Sequence, residues 1–352
     1  MAVLNIISDI PSIAFSSAFD KLEVETDLSK VLVDIQDTLH NARIYKNTLH
    51  AYEGKVTIFD LASVFEQYME AKDYAFCIIQ VAVKDAGSSV QATVSYRVLY
   101  CKHHYHGNVQ EWCRRNFMLS SQARMSFAGS IENIPFWYTG GQLVREYRTV
   151  VYEAGGEQYT AESNEVLERV NETKMKNSVV NYDELLEQYN ADRILSVSIT
   201  QLDRTVTIFY IDTPIVAFLF RNGFNSLELA TVQGVVTRKT QTEKSVASCG
   251  GKIFPYNKKD KYVFEVETAP LPYDQVAVIE QMCTSHKVWL YRGSLTPDER
   301  YRFVITDYTC ETSDDDSKLQ TVKFTLQFQD GRVAMREDVS EIFTTHFMPQ
   351  FN

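Results

Sequence analysis

Five residues with metal-binding chemistry crowd one stretch of the chain: Cys101, His103, His104, His106 and Cys113. Thiolate and imidazole are donors that zinc takes, and four of them fill a tetrahedral shell. Their spacing argues against that use. There is no pair of C-x2-C knuckles and no H-x3-H helical pair, and if the preceding strand runs on, His103 and His104 face opposite sides. A polar loop with packed or solvated histidines is expected. No metal ion and no other cofactor is expected, and no residue is assigned a catalytic, cofactor-binding or metal-ligating role.

Other chemistry-bearing residues read the same way. Cys283 and His286 form an i, i+3 pair at a helix end, but no G-x-S-x-G elbow accompanies them, and Cys283 reads as a small buried hydrophobe. Asp314, Asp315 and Asp316 lack the spaced ligands and turn glycine of a calcium loop. Gly140-Gly141, Gly155-Gly156 and Gly250-Gly251 match neither phosphate-binding pattern and read as hairpin or bulge punctuation. With no nucleophile, acid or base in a recognisable partnership, an enzyme is not expected.

The elements that carry these residues are mostly strands. The chain has 352 residues, is 45% hydrophobic and contains 20 Tyr and 20 Phe against 3 Trp, a composition that suits half-buried pleated surfaces. A formal charge of −11 argues against a phosphate-neutralising surface. The short basic clusters, Lys102 to His106 with Arg114-Arg115 and Lys258-Lys259-Lys261, read as solvated loops. No window has the ~18 apolar residues of a membrane-crossing helix. The N-terminal stretch lacks the basic start of a signal peptide, and six scattered cysteines fit reduced thiols. Synthesis in the cytoplasm, without nucleic-acid or membrane partners, is therefore expected.

Two β-rich domains are expected, residues 1–212 and 213–340, with a tail at 341–352. In the first, residues 21–25, 31–35, 43–51 and 55–59 read as strands. Asp60 is positioned to cap a helix beginning at Leu61, and strands resume at 75–83 and 90–101. Residues 101–116 read as a polar connection. Asn181 is the candidate cap of a short helix to Tyr189, and 193–199 with 205–211 reads as a hairpin turning at Leu202-Asp203-Arg204. The segment Thr213 to Asn225 divides the domains, with Arg221 to Asn225 a tight turn. Beyond it, strands at 227–236, 242–247 and 262–267 precede a helix over 274–285, followed by strands at 288–291, 301–308 and 322–328. Strand–helix–strand order recurs at 55–83 and 262–291, a similarity of pattern only. The fold class expected is mainly β, two sandwich- or barrel-like domains each with a flanking helix.

Several stretches carry a resemblance. The segments FRNGFNSLELATVQGVVTRKT (220–240), TAPLPYDQVAVIEQMCTSHKVWLY (268–291) and YRFVITDYTCETSDDDSKLQTVKFTLQF (301–328) are similar to proteins of Bacteroides-type bacteria and their prophages. So are GKVTIFDLASVFEQYM (54–69) and the pair VLYC (98–101) and NFMLSS (116–121). Those proteins resemble tail or baseplate structural components with a tail-tube-like second module. The resemblance implies ring-forming homo-oligomers, contacts with other tail proteins, a place in a virion or phage-like particle, and no catalytic residue. The alternative is a carbohydrate- or receptor-binding β-sandwich, with Trp137-Tyr138 as the candidate stacking patch.

Overall fold

In a computed structural model of the chain, the residues described are 4–85, 91–103, 105, 107–138, 143–169, 174–212, 214, 216–249, 251–310 and 319–329. Alternation of apolar and polar residues sets how they begin. Leu4–Ile7 (β1), Ile13–Phe15 (β2), Lys21–Thr26 (β3), Lys30–Asp37 (β4), Ala42–His50 (β5) and Lys55–Phe59 (β6) lead to a helix, Leu61–Lys72 (α1). Phe76–Asp85 (β7) and Gln91–Leu99 (β8) follow. The inward residues Leu22, Val24, Val31, Val33, Ile35, Val56 and Ile58 are buried, as their period of two requires. Sheet β1-β3-β6 and sheet β2-β8-β7-β4-β5 share one core with Leu61, Phe65 and Met69 of α1. Asp60 precedes α1 but does not cap it through its side chain. It sits in the left-handed region at φ 58°, outside the extended geometry of a side-chain cap, and its carboxylate accepts the Ser63 hydroxyl at 2.6 Å instead.

The segment read as a polar connection contains a short helix, Val109–Arg115 (α2). Asn108 starts it by accepting the Glu111 N–H at 3.2 Å, and Arg114 and Arg115 lie at its C-terminal end, where the helix dipole favours cations. With only Val109 and Cys113 buried, α2 has too narrow an apolar face to show in the sequence. Next come Ala123–Phe127 (β9), Ile131–Tyr138 (β10), Leu143–Ala154 (β11), Glu157–Arg169 (β12), Lys174–Asn181 (β13), Tyr182–Tyr189 (α3), Arg193–Gln201 (β14) and Arg204–Ile211 (β15). Asn181 caps α3 as expected, accepting the Asp183 N–H at 3.1 Å. The hairpin β14–β15 turns at Leu202-Asp203, with Leu202 at φ 53°. Sheet β12-β11-β14-β15-β9 and the pair β10-β13 enclose a second core. Residues 1–212 therefore hold two large cores, one within 14–100 and one within 117–210, with a smaller cluster around Phe15, Leu99, Met118 and Trp137 that also takes in Phe224.

The third unit is one open antiparallel sheet. Val216–Arg221 (β16), Leu227–Val232 (β17), Gly234–Cys249 (β18), Lys252–Thr268 (β19), Val288–Leu290 (β20), Arg302–Cys310 (β21) and Val322–Phe328 (β22) pair in the order β17-β16-β20-β21-β22-β19-β18. The helix Tyr273–Cys283 (α4) covers one face with Val276, Ile279, Met282 and Cys283, as its spacing predicts. The described strands close no barrel. The chain is thus mainly β, with each core flanked by a helix. The strand–helix–strand similarity does not extend to topology: β6 and β7 belong to different sheets, whereas β19 and β20 lie in the same one.

One glycine controls how the longest hairpin leaves this sheet. Gly234 opens β18 at φ 143°, and a Cβ there lies 2.0 Å from the Glu267 carbonyl oxygen and 2.7 Å from the Ala269 nitrogen. Both obstacles are backbone, so nothing yields cheaply. Gly234→Ala is expected to lower stability by about 2–4 kcal/mol, a backbone-strain effect at the upper end of single substitutions. Urea unfolding followed by circular dichroism measures it.

Candidate assembly site

The turn that divides the sequence proves to be where the three cores meet. The Asn222 carboxamide closes the turn by accepting the Phe224 and Ser226 N–H groups at 3.0 and 3.1 Å. Its NH2 donates to the Met118 carbonyl at 2.8 Å and to Glu228 at 2.7 Å. Asn225, left-handed at φ 55°, donates to the Met69 and Tyr74 carbonyls at 2.9 and 3.1 Å, tying the turn to the end of α1. Gly223 donates to Gln281 of α4 at 2.9 Å and accepts from Lys102 at 3.0 Å. Phe224 packs against Phe15 and Trp112. Asn222 and Asn225 thus carry the turn's side-chain bonds to the Met118, Met69 and Tyr74 carbonyls of the other two units, while Gly223 and Phe224 add a backbone bond and an aromatic contact.

A buried charge cluster reinforces the second and third units. Arg124 on β9 donates to Glu228 on β17 at 2.9 Å and to the Leu229 carbonyl at 2.5 Å, and lies 3.2 Å from Glu132 on β10. Glu228 also accepts the Ser120 N–H at 3.1 Å and its hydroxyl at 2.9 Å. All three charged side chains are buried. Burial pushes the Glu132 carboxyl up despite the opposing Arg124 charge. Its proton is therefore held more tightly in the folded chain than in the unfolded one, so stability falls as pH rises from about 4.5 through the folded value. Glu132→Gln is expected to remove that fall, leaving a flatter urea midpoint as pH rises above about 4.5 while Arg124 stays paired with Glu228. Urea titrations at a series of pH values would show it.

The hairpin β18–β19 leaves this locked body. Its strands pair from Gly234↔Thr268 out to Cys249↔Lys252, with a register shift at Ser245/Val246. β22 pairs with β19 only over Val263–Glu267. Beyond Thr240↔Tyr262 the two strands form a two-stranded ribbon with no third strand among the described residues, about 30 Å from Gln241 to Cys249. Gly251, at φ 77°, supplies the turn. Val246 is 61% exposed and Ile253 72%, and Cys249 is exposed as well. A lone ribbon with bare apolar side chains gains little in water; it gains burial and hydrogen-bond partners against another surface. A second hairpin, β11–β12, turns at Gly155 and Gly156, both with positive φ, and presents β12 as a sheet edge with Tyr159 and Val166 exposed.

The residues singled out for chemistry scatter. Cys101 and Cys113 lie in a buried cluster with Phe15 and Met118, and His103 gives its backbone carbonyl to the Ser17 hydroxyl at 2.9 Å. His104 and His106 lie outside the described residues, as do Gly140-Gly141, Asp314 to Asp316 and the tail 341–352. Burial pushes the Cys101 thiol up to about 11 and Cys113 to about 12, and raises Cys283 in the α4 core further, so all three stay protonated at neutral pH. Arg114 and Arg115 are paired with Asp203 and Glu111. Trp137 and Tyr138 are each 3% exposed, so this pair offers no stacking surface to a sugar; the bulky rings complete cores. Sequence reading missed the Arg124–Glu132–Glu228 cluster and a convergence of Asp37, His40 and Cys77, because neither has a spacing signature along the chain.

No protein-family profile matches the chain, and no curated protein matches it. Solved structures that align include Dpr2 Ig1-Ig2 in complex with DIP-Theta Ig1-Ig3, 8% identical, covering 95% of this chain and 92% of that one at a TM-score of 0.21. The ectodomain of the teleost fish polymeric Ig receptor is 9% identical, covering 60% of this chain and 98% of that one at a TM-score of 0.17. Among the described residues no helix is long and apolar enough to cross a membrane.

Proposed function

We propose that this chain is a structural component of a phage or phage-like tail, a tube, distal-tail or baseplate part that works by forming rings and by meeting other tail proteins. The β18–β19 arm carries the reading. Three cores are fixed to one another through the Arg221–Ser226 turn, so the body is held as a unit, while a ribbon of about 30 Å projects with Val246 and Ile253 bare. A rigid body with a projecting ribbon suits repeated head-to-tail contact, in which each copy supplies an arm and receives one. The net charge of −11 keeps the unassembled chain soluble. The carbohydrate- or receptor-binding alternative loses Trp137-Tyr138, its candidate stacking patch, to the cores.

Electron microscopy of the purified chain across a range of concentrations tests the proposal. Rings of fixed size, or stacks of them, are expected. Monomers at every concentration, also when the products of neighbouring genes are added, would refute it.

A further inference from the structure

Beneath the β4–β5 connection, three donor types converge. Asp37 ends β4, His40 lies in the connection, and Cys77 is the second residue of β7. Asp37 Oδ2 is 2.6 Å from His40 Nδ1, Cys77 Sγ is 4.0 Å from the same nitrogen, and the three ligand atoms all lie within 4.8 Å of one another. The other carboxylate oxygen is held by the backbone: Oδ1 accepts the Leu39 and His40 N–H groups at 3.0 and 3.3 Å. Tyr68 of α1 donates to Oδ2 at 3.0 Å, and Tyr74 stacks on the imidazole at 3.6 Å with the rings 6° from parallel. Asp37 and Cys77 are fully buried, while the His40 side chain is 26% exposed and marks the way in from solvent.

We propose that Asp37 Oδ2, His40 Nδ1 and Cys77 Sγ form a zinc site, with water as the fourth ligand on the solvent side of His40. The donor set suits the ion: zinc accepts thiolate, imidazole and carboxylate together, whereas calcium and magnesium take oxygen alone. Bonds of about 2.0–2.3 Å in a tetrahedron place neighbouring donors on the order of 3.3–3.7 Å apart. The 2.6 Å and 4.0 Å separations bracket that range, so the carboxylate opens from the imidazole and the thiol closes on it, each by under about 1 Å. On binding, the thiol proton leaves to solvent and the thiolate and carboxylate charges balance the dication. Tyr68 keeps its bond to Asp37 and orients it from outside the shell. The ion clamps the β4–β5 connection to β7 and α1, and so stabilises the first unit.

Cobalt is the probe. Titrating the chelator-treated full-length protein with Co²⁺ is expected to give a thiolate-to-cobalt charge-transfer band and tetrahedral d–d bands that saturate at one equivalent and vanish when Zn²⁺ is added. Cys77→Ser is expected to abolish the charge-transfer band, and His40→Gln to weaken binding on the order of 100-fold. Cys249→Ser, at an exposed cysteine, should leave both unchanged. His40 is partly exposed, so its variant decides the question should the Cys77 variant fail to fold. Absence of a charge-transfer band in the wild type, or full-strength binding in His40→Gln, overturns the proposal and leaves the trio as a hydrogen-bonded staple.

Discussion

Glu228→Ala is expected to destabilise the protein by about 3–5 kcal/mol, the cost of breaking a buried ion pair from one side. The carboxylate serves Arg124, Asn222 and both donors of Ser120 at once. Removing it leaves the Ser120 N–H without its acceptor and costs Arg124 and Asn222 one partner each, with Glu132 at 3.2 Å still on Arg124 and Gln281 at 2.9 Å still open to the Ser120 hydroxyl. Because Asn222 shapes the turn that binds all three units, the loss extends beyond one core. Ser120→Ala, which removes one donor and keeps the charge pair, should cost only about 1 kcal/mol. Urea denaturation of both variants separates the two magnitudes; a cost for Glu228→Ala no larger than that of Ser120→Ala would show that the cluster does not hold the units together.

Removing the arm is expected to do the reverse: large for assembly, small for folding. Residues 241–261 replaced by Asn-Gly join Thr240 to Tyr262, which already face each other across the hairpin. The strand contacts with β22, at Val263–Glu267, are untouched. Stability should change by less than about 1 kcal/mol, since the side chains described along the ribbon are exposed apart from the half-buried Ser245. Sedimentation should find a folded monomer at concentrations where the full chain forms rings. Rings persisting without the arm would place the contact elsewhere.

What was legible in the sequence followed from period and from caps. The alternation at 21–25, 31–35, 55–59 and 322–328, the apolar face of α4 and the Asn181 cap each depend on neighbours along the chain, and each appears where the pattern places it. The turn at Arg221 to Asn225 was legible as a turn, but its role as junction was not. Its partners, Met69, Tyr74, Lys102, Met118 and Gln281, come from segments more than fifty residues away and are mostly backbone carbonyls, which carry no residue signature. Separate strands at 227–236 and 242–247 gave way to β17 ending at Val232 and β18 running unbroken from Gly234, since Lys239, Thr240 and Gln241 interrupt an apolar pattern without interrupting a ladder. Asp60 shows the limit of capping rules, because residue type was right and backbone conformation was not. The Asp37–His40–Cys77 convergence joins a turn to a strand nearly forty residues on, and no local spacing announces it.

Cys249, at the tip of the arm, reports directly on whether the arm is an assembly element. Its thiol is exposed, whereas Cys77, Cys101, Cys113 and Cys283 are buried. The rate of iodoacetamide alkylation at Cys249, read by mass spectrometry as the protein is concentrated, should fall in step with the appearance of rings. A rate that stays constant while rings form would mean that the arm remains in solvent, and that the assembly proposed for this chain is built on some other surface.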